Sequence, residues 1–510
     1  IGLESADNVE VYHNTIYFDG SYANAIEYRF AATTNTLIYN NLTNKAIKKR
    51  DSGQATLGSN ITDAQRSWFV NAGSGDLHLA SQIAQVVDQA EAFGNVTIDI
   101  DNQPRPSGNG PDIGADEYSD ESPINPGDGD GDGDGDGDGD GDGDTPGDGD
   151  GVAWDSMPQP FDEGVTYLKT IYVASTGSDS TGNGSEGLPY SSIGNALKQA
   201  TPGTEIKVAA GTYPAIGYVS SLQGTEQQPI KLSANGEVII NGSGRSEVFH
   251  LTNPAYVVVE GLTFQGSSDN GINVDDGGDY STPAHHVVFR DIHIRNIGRG
   301  GNNDCLKLSG LDDFYIESSE FENCNAGSMI DMVGCHDGVI AKNWFHDSPH
   351  SGIQAKGGTA DILITRNRFS DVPGRNINAG GSTGLQYFRP LDAPYEAARL
   401  HMVSNVFERA GYADSTVSFV GCDTCVFANN TLIEPRRWVA RILQETTGDR
   451  FVPSRNGYFI NNMIVFNTSD IRTYVNVGPN TSPETFTFSN NLWYALDNSS
   501  FSGPSLSGGI

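Results

Sequence analysis

The sequence predicts an all-β protein built as a solenoid, with short parallel strands stacked coil upon coil. Three observations carry that expectation. First, a short pattern recurs in which β-formers and a small polar residue lead to an apolar anchor. It ends at Phe264, Ile294, Phe321, Phe345 and Phe369, with further copies near Phe407, Leu432, Ile464 and Trp493. From Phe264 to Phe369 the anchors are 30, 27, 24 and 24 residues apart. Second, Gly310, Gly334 and Gly358 close the segments Leu-Lys-Leu-Ser-Gly, Ile-Asp-Met-Val-Gly and Gln-Ala-Lys-Gly-Gly at steps of 24. Third, apolar residues alternate at period two and helix formers are sparse, which excludes arrays of helical pairs. Stacked parallel strands leave unpaired edges only at the two ends of the array.

In chain order, residues 1–120 carry a weaker form of the repeat. His-Asn-Thr-Ile16-Tyr and Tyr-Asn-Asn-Leu42-Thr lie 26 apart. Asp76-Leu-His-Leu79, a small helix-like stretch and the run Pro111-Asp-Ile-Gly-Ala-Asp-Glu117 follow. This reads as the C-terminal part of a solenoid whose start is missing. Residues 121–160 are expected to be a flexible acidic linker. The alternating Gly-Asp run from Gly127, continued to Asp150, holds eleven of the 65 acidic residues and no base. Glycine frees its backbone and like charges repel. Its alternating Asp mimics the first ligands of a calcium loop, but no Glu closes such a loop, so loose Ca²⁺ association is expected rather than a dedicated site.

Residues 161–510 read as a second solenoid, truncated at its C-terminal end. Ser191 to Ala200 places Ile193, Ala196, Leu197 and Ala200 on one helical face, with Ser at its start and Pro202-Gly203 at its stop. Strands Thr170–Ala174 and Glu205–Ala209 flank this helix, which is expected to cap the solenoid's N-terminal end.

Composition narrows the function. The chain has 510 residues, 30 basic and 65 acidic, for a net charge of −35. Nucleic-acid binding needs the opposite balance, and no run of 18 apolar residues exists to span a membrane. The five cysteines all lie beyond residue 300, and only Cys422-Asp-Thr-Cys425 has the tight spacing of a metal pair. With no second pair to complete a zinc site, buried thiols or one short-range disulfide are expected.

Tyr172-Val-Ala-Ser-Thr-Gly-Ser-Asp179, Pro-Tyr-Ser-Ser-Ile193 and Pro-Gly-Thr-Glu-Ile-Lys-Val-Ala-Ala-Gly-Thr-Tyr213 resemble the opening coil of secreted bacterial right-handed parallel β-helix proteins. That coil is shared by pectate-lyase-like proteins and the chondroitinase-B/alginate-lyase group. The segment Asp76 to Glu117 resembles the choice-of-anchor-Q ending of bacterial surface β-helices. The resemblance implies tandem right-handed parallel β-helices, an extracellular or cell-surface location, a polysaccharide partner of anionic type, and further domains in a longer parent chain.

Elimination across a uronic acid needs a base for the proton beside the carboxylate, positive charge to neutralise that carboxylate, and a proton for the leaving oxygen. The richest patch for this lies at 300–400. Lys307 and Asp331 are one 24-residue step apart and are expected to form a stacked salt bridge. By resemblance to the group's lysine, Lys356 is the catalytic base. The group's partner arginine lies on the following coil, where this chain has Gly380, so Arg375 or Arg389 takes that role from another place. Gln354, Asn378, Tyr387, Tyr395 and Arg399 are expected to bind substrate. So is the basic cluster Arg436-Arg437 with Arg441, and Trp438 offers a further ring. Asp275 and Asp276 join Asp331 as candidate Ca²⁺ ligands, although a turn at Gly277-Gly278 explains the first two equally well. His346 and His350 are four apart, a spacing that in turn-rich β context does not make a metal pair. Asn343, Asn367 and Asn405 are expected to satisfy turn backbones.

Two readings follow: a lyase-type enzyme on an acidic glycan, or a non-catalytic adhesin or matrix solenoid. A hydrolase with paired carboxylates ranks third. Lys356, Arg375, Arg389 and Tyr387 in one groove would favour catalysis, and their dispersal the structural role.

Overall fold

In the computed structural model the nine apolar anchors form one ladder: Phe264, Ile294, Phe321, Phe345, Phe369, Phe407, Leu432, Ile464 and Trp493 pair in register from coil to coil. Their side chains point inward. Phe321, Phe345, Phe369 and Phe407 are fully buried and stack with ring centroids 5.0, 4.8 and 4.8 Å apart. A coil length near 24 residues places like on like, and the gain beyond burial is about 0.5–1.5 kcal/mol per aromatic pair.

The structure describes residues 1–118 and 160–504, apart from 5, 19, 21, 73–75, 94–95, 101–103, 280, 300–302 and 326. The Gly-Asp run lies outside the described residues. The chain forms two compact units, 1–157 and 158–510.

In the first unit, strands Gly2–Glu4, Asn24–Arg29 and Ala46–Arg50 form one parallel sheet, and Glu10–Tyr12, Thr36–Tyr39 and Ala55–Gly58 another. The register corrects the 26-residue step read between Ile16 and Leu42. Thr15 pairs with Leu42 and Ile16 with Thr43. The cause is an asparagine ladder: Asn41 Oδ1 accepts from Asn14 N at 3.1 Å, and Asn60 Oδ1 accepts from Asn41 N at 3.0 Å. Asp76–Leu79 is a strand, antiparallel to Phe69–Asn71, and residues 84–88 form turns rather than a helix.

The second unit is a right-handed parallel β-helix. Its helix spans Ile193–Lys198, where the Ser192 side chain accepts from Asn195 N at the N-cap and Ile193, Ala196 and Leu197 are buried. One sheet stacks ten parallel strands from Gly217–Ser220 to Ile471–Val477. The other, longer ladder carries the anchors and turns a corner in each coil. At that corner Lys342, Arg366, Ser404, Asn429 and Asn461 adopt positive φ. The asparagine that follows each of them satisfies the backbone groups turned inward. Asn343, Asn367, Asn405, Asn430, Asn462 and Asn491 form a continuous ladder, each backbone N–H donating to the next Oδ1 at 2.9 Å. Each Nδ2 group from Asn343 to Asn462 also donates to a carbonyl of the preceding coil.

Two disulfides, Cys305–Cys324 and Cys422–Cys425, replace the single one allowed for from spacing. Cys305 and Cys324 are 19 residues apart but meet because inward positions near the two ends of one coil converge. Cys335 is a buried free thiol, pushed up to about 12 by burial.

Candidate functional site

Outward positions of the ten-stranded sheet also stack. Asn273, Lys307, Asp331, Gln354, Asn378, Ser418 and Arg441 occupy one register row on seven successive strands. Alternation along each strand sends the apolar neighbours Leu306, Ile330, Ile353 and Ile377 into the core and this row to the other face, where Asn273, Lys307, Gln354 and Arg441 are half-buried and Asp331, Asn378 and Ser418 are buried. Above the row, the insertion before Phe407 raises a wall, so that a groove of about 460 Å³ is lined by Asp275, Asp276, Lys307, Asp331, Lys356, Ser382, Thr383 and Tyr387.

The wall is pinned by Glu396, which sequence reasoning did not single out. Its fully buried carboxylate accepts from Gly357 N at 2.8 Å, Thr383 N at 2.9 Å and Thr383 Oγ1 at 2.7 Å, and from Thr446 Oγ1. It thereby fastens the inserted loop to the turn that follows Lys356.

At the floor, Lys307 Nζ lies 3.2 Å from both Asp304 Oδ2 and Asp331 Oδ2, and Lys356 Nζ lies 2.9 Å from Asp331 Oδ1. The Asp304 and Asp331 side chains are 1% exposed, whereas that of Lys356 is 11% exposed and reaches the groove. Burial alone would lower Lys307, but Asp331 and Asp304 outweigh it and hold the ammonium above its usual range. Burial, reinforced by the Asp331 charge, pushes Asp304 up. Asp304, three residues before Lys307, was the partner that the sequence reading lacked.

The turn reading of Asp275 and Asp276 holds: their Oδ1 atoms accept from Gly277 N at 2.9 Å and Gly278 N at 2.7 Å. Asp275 Oδ2 is 2.5 Å from His250 Nε2, and both Asp331 oxygens face lysines. Asp276 Oδ2 is buried with neither a hydrogen bond nor an ion pair, and burial raises this carboxyl. Calcium takes six to eight oxygens, so these three carboxylates, engaged as they are, do not fit a calcium cage. Lys307, paired with Asp304 and Asp331, brings fixed positive charge to the groove.

His250 sits between Asp275 and Glu247, whose Oε2 is 2.8 Å from Nδ1, and the two hydrogen bonds push it up to about 10. A folded value raised above the ordinary 6.5 contributes stability that is complete below that pH and lost as pH rises through about 10. The protein is therefore expected to lose stability between neutral pH and 10 more steeply than a His250→Gln variant, as read by denaturant melts at the two pH values. Equal slopes would remove His250 from the account.

The structure brings Lys356, Tyr387, Asp275, Asp276 and Asp331 to one groove, with Gln354 and Asn378 on its row. It brings neither arginine there. Arg389 is buried, donating to both Asp312 oxygens and to Gly334 O at 2.9 Å. Although burial opposes the shift, Arg389 and His336 bring Asp312 down to about 2. Arg389 thus anchors the inserted loop. Arg375 donates to Glu445 Oε1 at 2.8 Å and Asn378 Oδ1 at 3.2 Å, outside the groove lining. Nor does Gly380 leave room for the missing arginine: it has φ of +111°, and a Cβ there would lie 1.7 Å from Val420 O. Arg399 pairs with Asp361 at 2.6 Å and lies over Tyr395, beside the longer ladder rather than the groove. Arg437 and Arg441 cover the Trp438 ring at 4.2 and 4.1 Å, farther along the sheet, with Arg436 exposed beside them.

The family model described as "Right handed beta helix region" matches residues 247–462, and the one described as "Chondroitinase B" matches 190–277. A curated relative, the uncharacterized protein YwoF of Bacillus subtilis (strain 168), is 27% identical over 211 residues, or 38% of this chain and 45% of that protein. This chain thus spans less than half the length of that relative. Similar solved structures include a GH136 lacto-N-biosidase from Eubacterium ramulus (TM-score 0.47, 11% identity, 64% of this chain and 68% of that one). An alginate lyase from Paenibacillus sp. str. FPU-7 is similar with TM-score 0.41 and 19% identity over 63% of this chain and 99% of that one. The pectate lyase Pel9A follows with TM-score 0.41 and 15% identity over 66% and 83%. Among the described residues no helix is long and apolar enough to cross a membrane.

Proposed function

We infer that the second unit binds an acidic polysaccharide along the outward row and cleaves it by β-elimination in the groove. The observation that carries this reading is the Lys307–Asp331–Lys356 floor beneath the Tyr387 wall. Lys307, held as a cation by two carboxylates, neutralises the uronate carboxylate and so acidifies the adjacent C–H. Lys356, whose side chain reaches the groove, is placed to take that proton. The released electron pair forms the new C=C bond as the neighbouring C–O bond breaks, and the leaving oxygen takes a proton from solvent in the groove. Tyr387 offers a ring on which the sugar stacks. No step passes through calcium. The match of residues 190–277 to the chondroitinase B model supports the substrate class. The two disulfides support a location outside the cytoplasm, secreted or at the cell surface.

The test is incubation of the full chain with alginate, pectate and chondroitin, following the ultraviolet absorbance of unsaturated product. Product from at least one uronate glycan is expected, undiminished by EDTA. Binding without product on any of them would favour the second reading, a non-catalytic glycan-binding solenoid, which the pairing of Arg375 and Arg389 with carboxylates already favours.

A further inference from the structure

The longer ladder carries a second cluster of polar side chains. His293 stacks on Glu320 in one outward row, and Glu322 stacks on His346 in the next. Across these three coils His293 Nε2 lies 3.3 Å from Glu322 Oε1 and 3.9 Å from Glu320 Oε1, while His346 Nε2 lies 2.9 Å from the same Glu320 oxygen. One ligand atom each from His293, Glu320 and Glu322 falls within a 4.8 Å span. We propose that His293, Glu320 and Glu322 bind a divalent transition-metal ion, with Zn²⁺ as the type and His346 as the residue that positions Glu320.

Two features point to a cation rather than to hydrogen bonding alone. His293 Nε2 is buried and makes no hydrogen bond. The separations also suit the ion: metal–ligand bonds of about 2.0–2.2 Å in a tetrahedron put ligand atoms about 3.3–3.6 Å apart, within a few tenths of an ångström of the His293–Glu322 and His293–Glu320 separations. His346, 2.8 Å from Asp347 Oδ2 through Nδ1 and 2.9 Å from Glu320 Oε1 through Nε2, holds the Glu320 carboxylate in place. An imidazole with carboxylates selects zinc, cobalt or nickel over calcium, which takes oxygen. The Glu320 and Glu322 side chains are 37% and 22% exposed, so the ion has a path in. Bound there, it ties two successive coils together.

Trp344, stacked on the His346 ring at 3.8 Å, provides a reporter. The full chain, stripped with EDTA and dialysed, is titrated with Co²⁺ while visible absorption and tryptophan fluorescence are followed. One equivalent is expected to produce a ligand-field band and quench Trp344, and excess Ca²⁺ is expected not to reverse it. His293→Ala should weaken this binding by about tenfold or more, with Glu322→Gln as the second variant should the first fold poorly. Loose binding by the Gly-Asp run is common to all three chains and cancels in the comparison. Zn²⁺ should also raise Tm of the parent chain and not of the variants. Equal Co²⁺ affinity in parent and variants, or displacement by an equal concentration of Ca²⁺, overturns the proposal. No part of the test uses glycan cleavage, so its outcome is independent of the activity inferred above.

Discussion

Replacing Lys356 by alanine is expected to reduce elimination on the order of 10²–10⁴-fold, the usual contribution of a positioned base. The fold should survive, because Asp331 keeps Lys307 at 3.2 Å and is not left as an isolated buried charge. Binding of the glycan should fall less than turnover does, since Lys307 and the outward row remain. The check is steady-state product formation on the responsive uronate glycan, beside a thermal melt. Full activity in Lys356→Ala would remove the base from the proposed mechanism. Lost activity with a collapsed melt would show instead that Lys356 acts only through the floor's ion pairs.

Asn367→Ala should be the most damaging single change to the coil stack. Asn367 Oδ1 accepts from both Asn343 N and Asn343 Nδ2, and its Nδ2 donates to Ile340 O at 2.8 Å and Asn405 Oδ1 at 3.0 Å. All of these lie in the interior, where water cannot replace the lost partner. Each stranded buried group costs about 1–3 kcal/mol, so a loss of about 3–5 kcal/mol is expected from the groups affected. Denaturant unfolding of the full chain measures it, and a loss under about 1 kcal/mol would mean that the ladder does not hold the corner.

The repeat was legible because a solenoid writes its geometry into the sequence. Each anchor from Phe264 to Trp493 must fill the same place in its coil, so spacing alone identified the ladder. The first unit was read one residue out because its anchors are weak. There Asn14 and Asn41, rather than Ile16 and Leu42, fix the register. Lys307 and Asp331 were found as a pair because both features repeat in phase. Lys356 came from resemblance, and its contact with Asp331 depends on a step of 23 between Asp331 and Gln354 that the glycine spacing conceals.

The arginines were misplaced for a different reason. Arg375 and Arg389 lie in or next to irregular segments whose path no periodicity encodes, and their partners Glu445 and Asp312 are 70 and 77 residues away. Glu396 was missed on the same ground, whereas the cluster around His293 flanks the anchors Ile294, Phe321 and Phe345 and was within reach of their spacing. A buried carboxylate in a loop meets its partners only once the coils are stacked.

The most direct measurement of the proposed function is the mass of the products formed from a uronate oligosaccharide in water enriched in heavy oxygen. Elimination in the Lys307–Asp331–Lys356 groove predicts one fragment with an unsaturated end and two fragments whose masses, corrected for exchange at reducing ends, sum to that of the substrate. Two saturated fragments that together exceed the substrate by one water would mean hydrolysis and would contradict it.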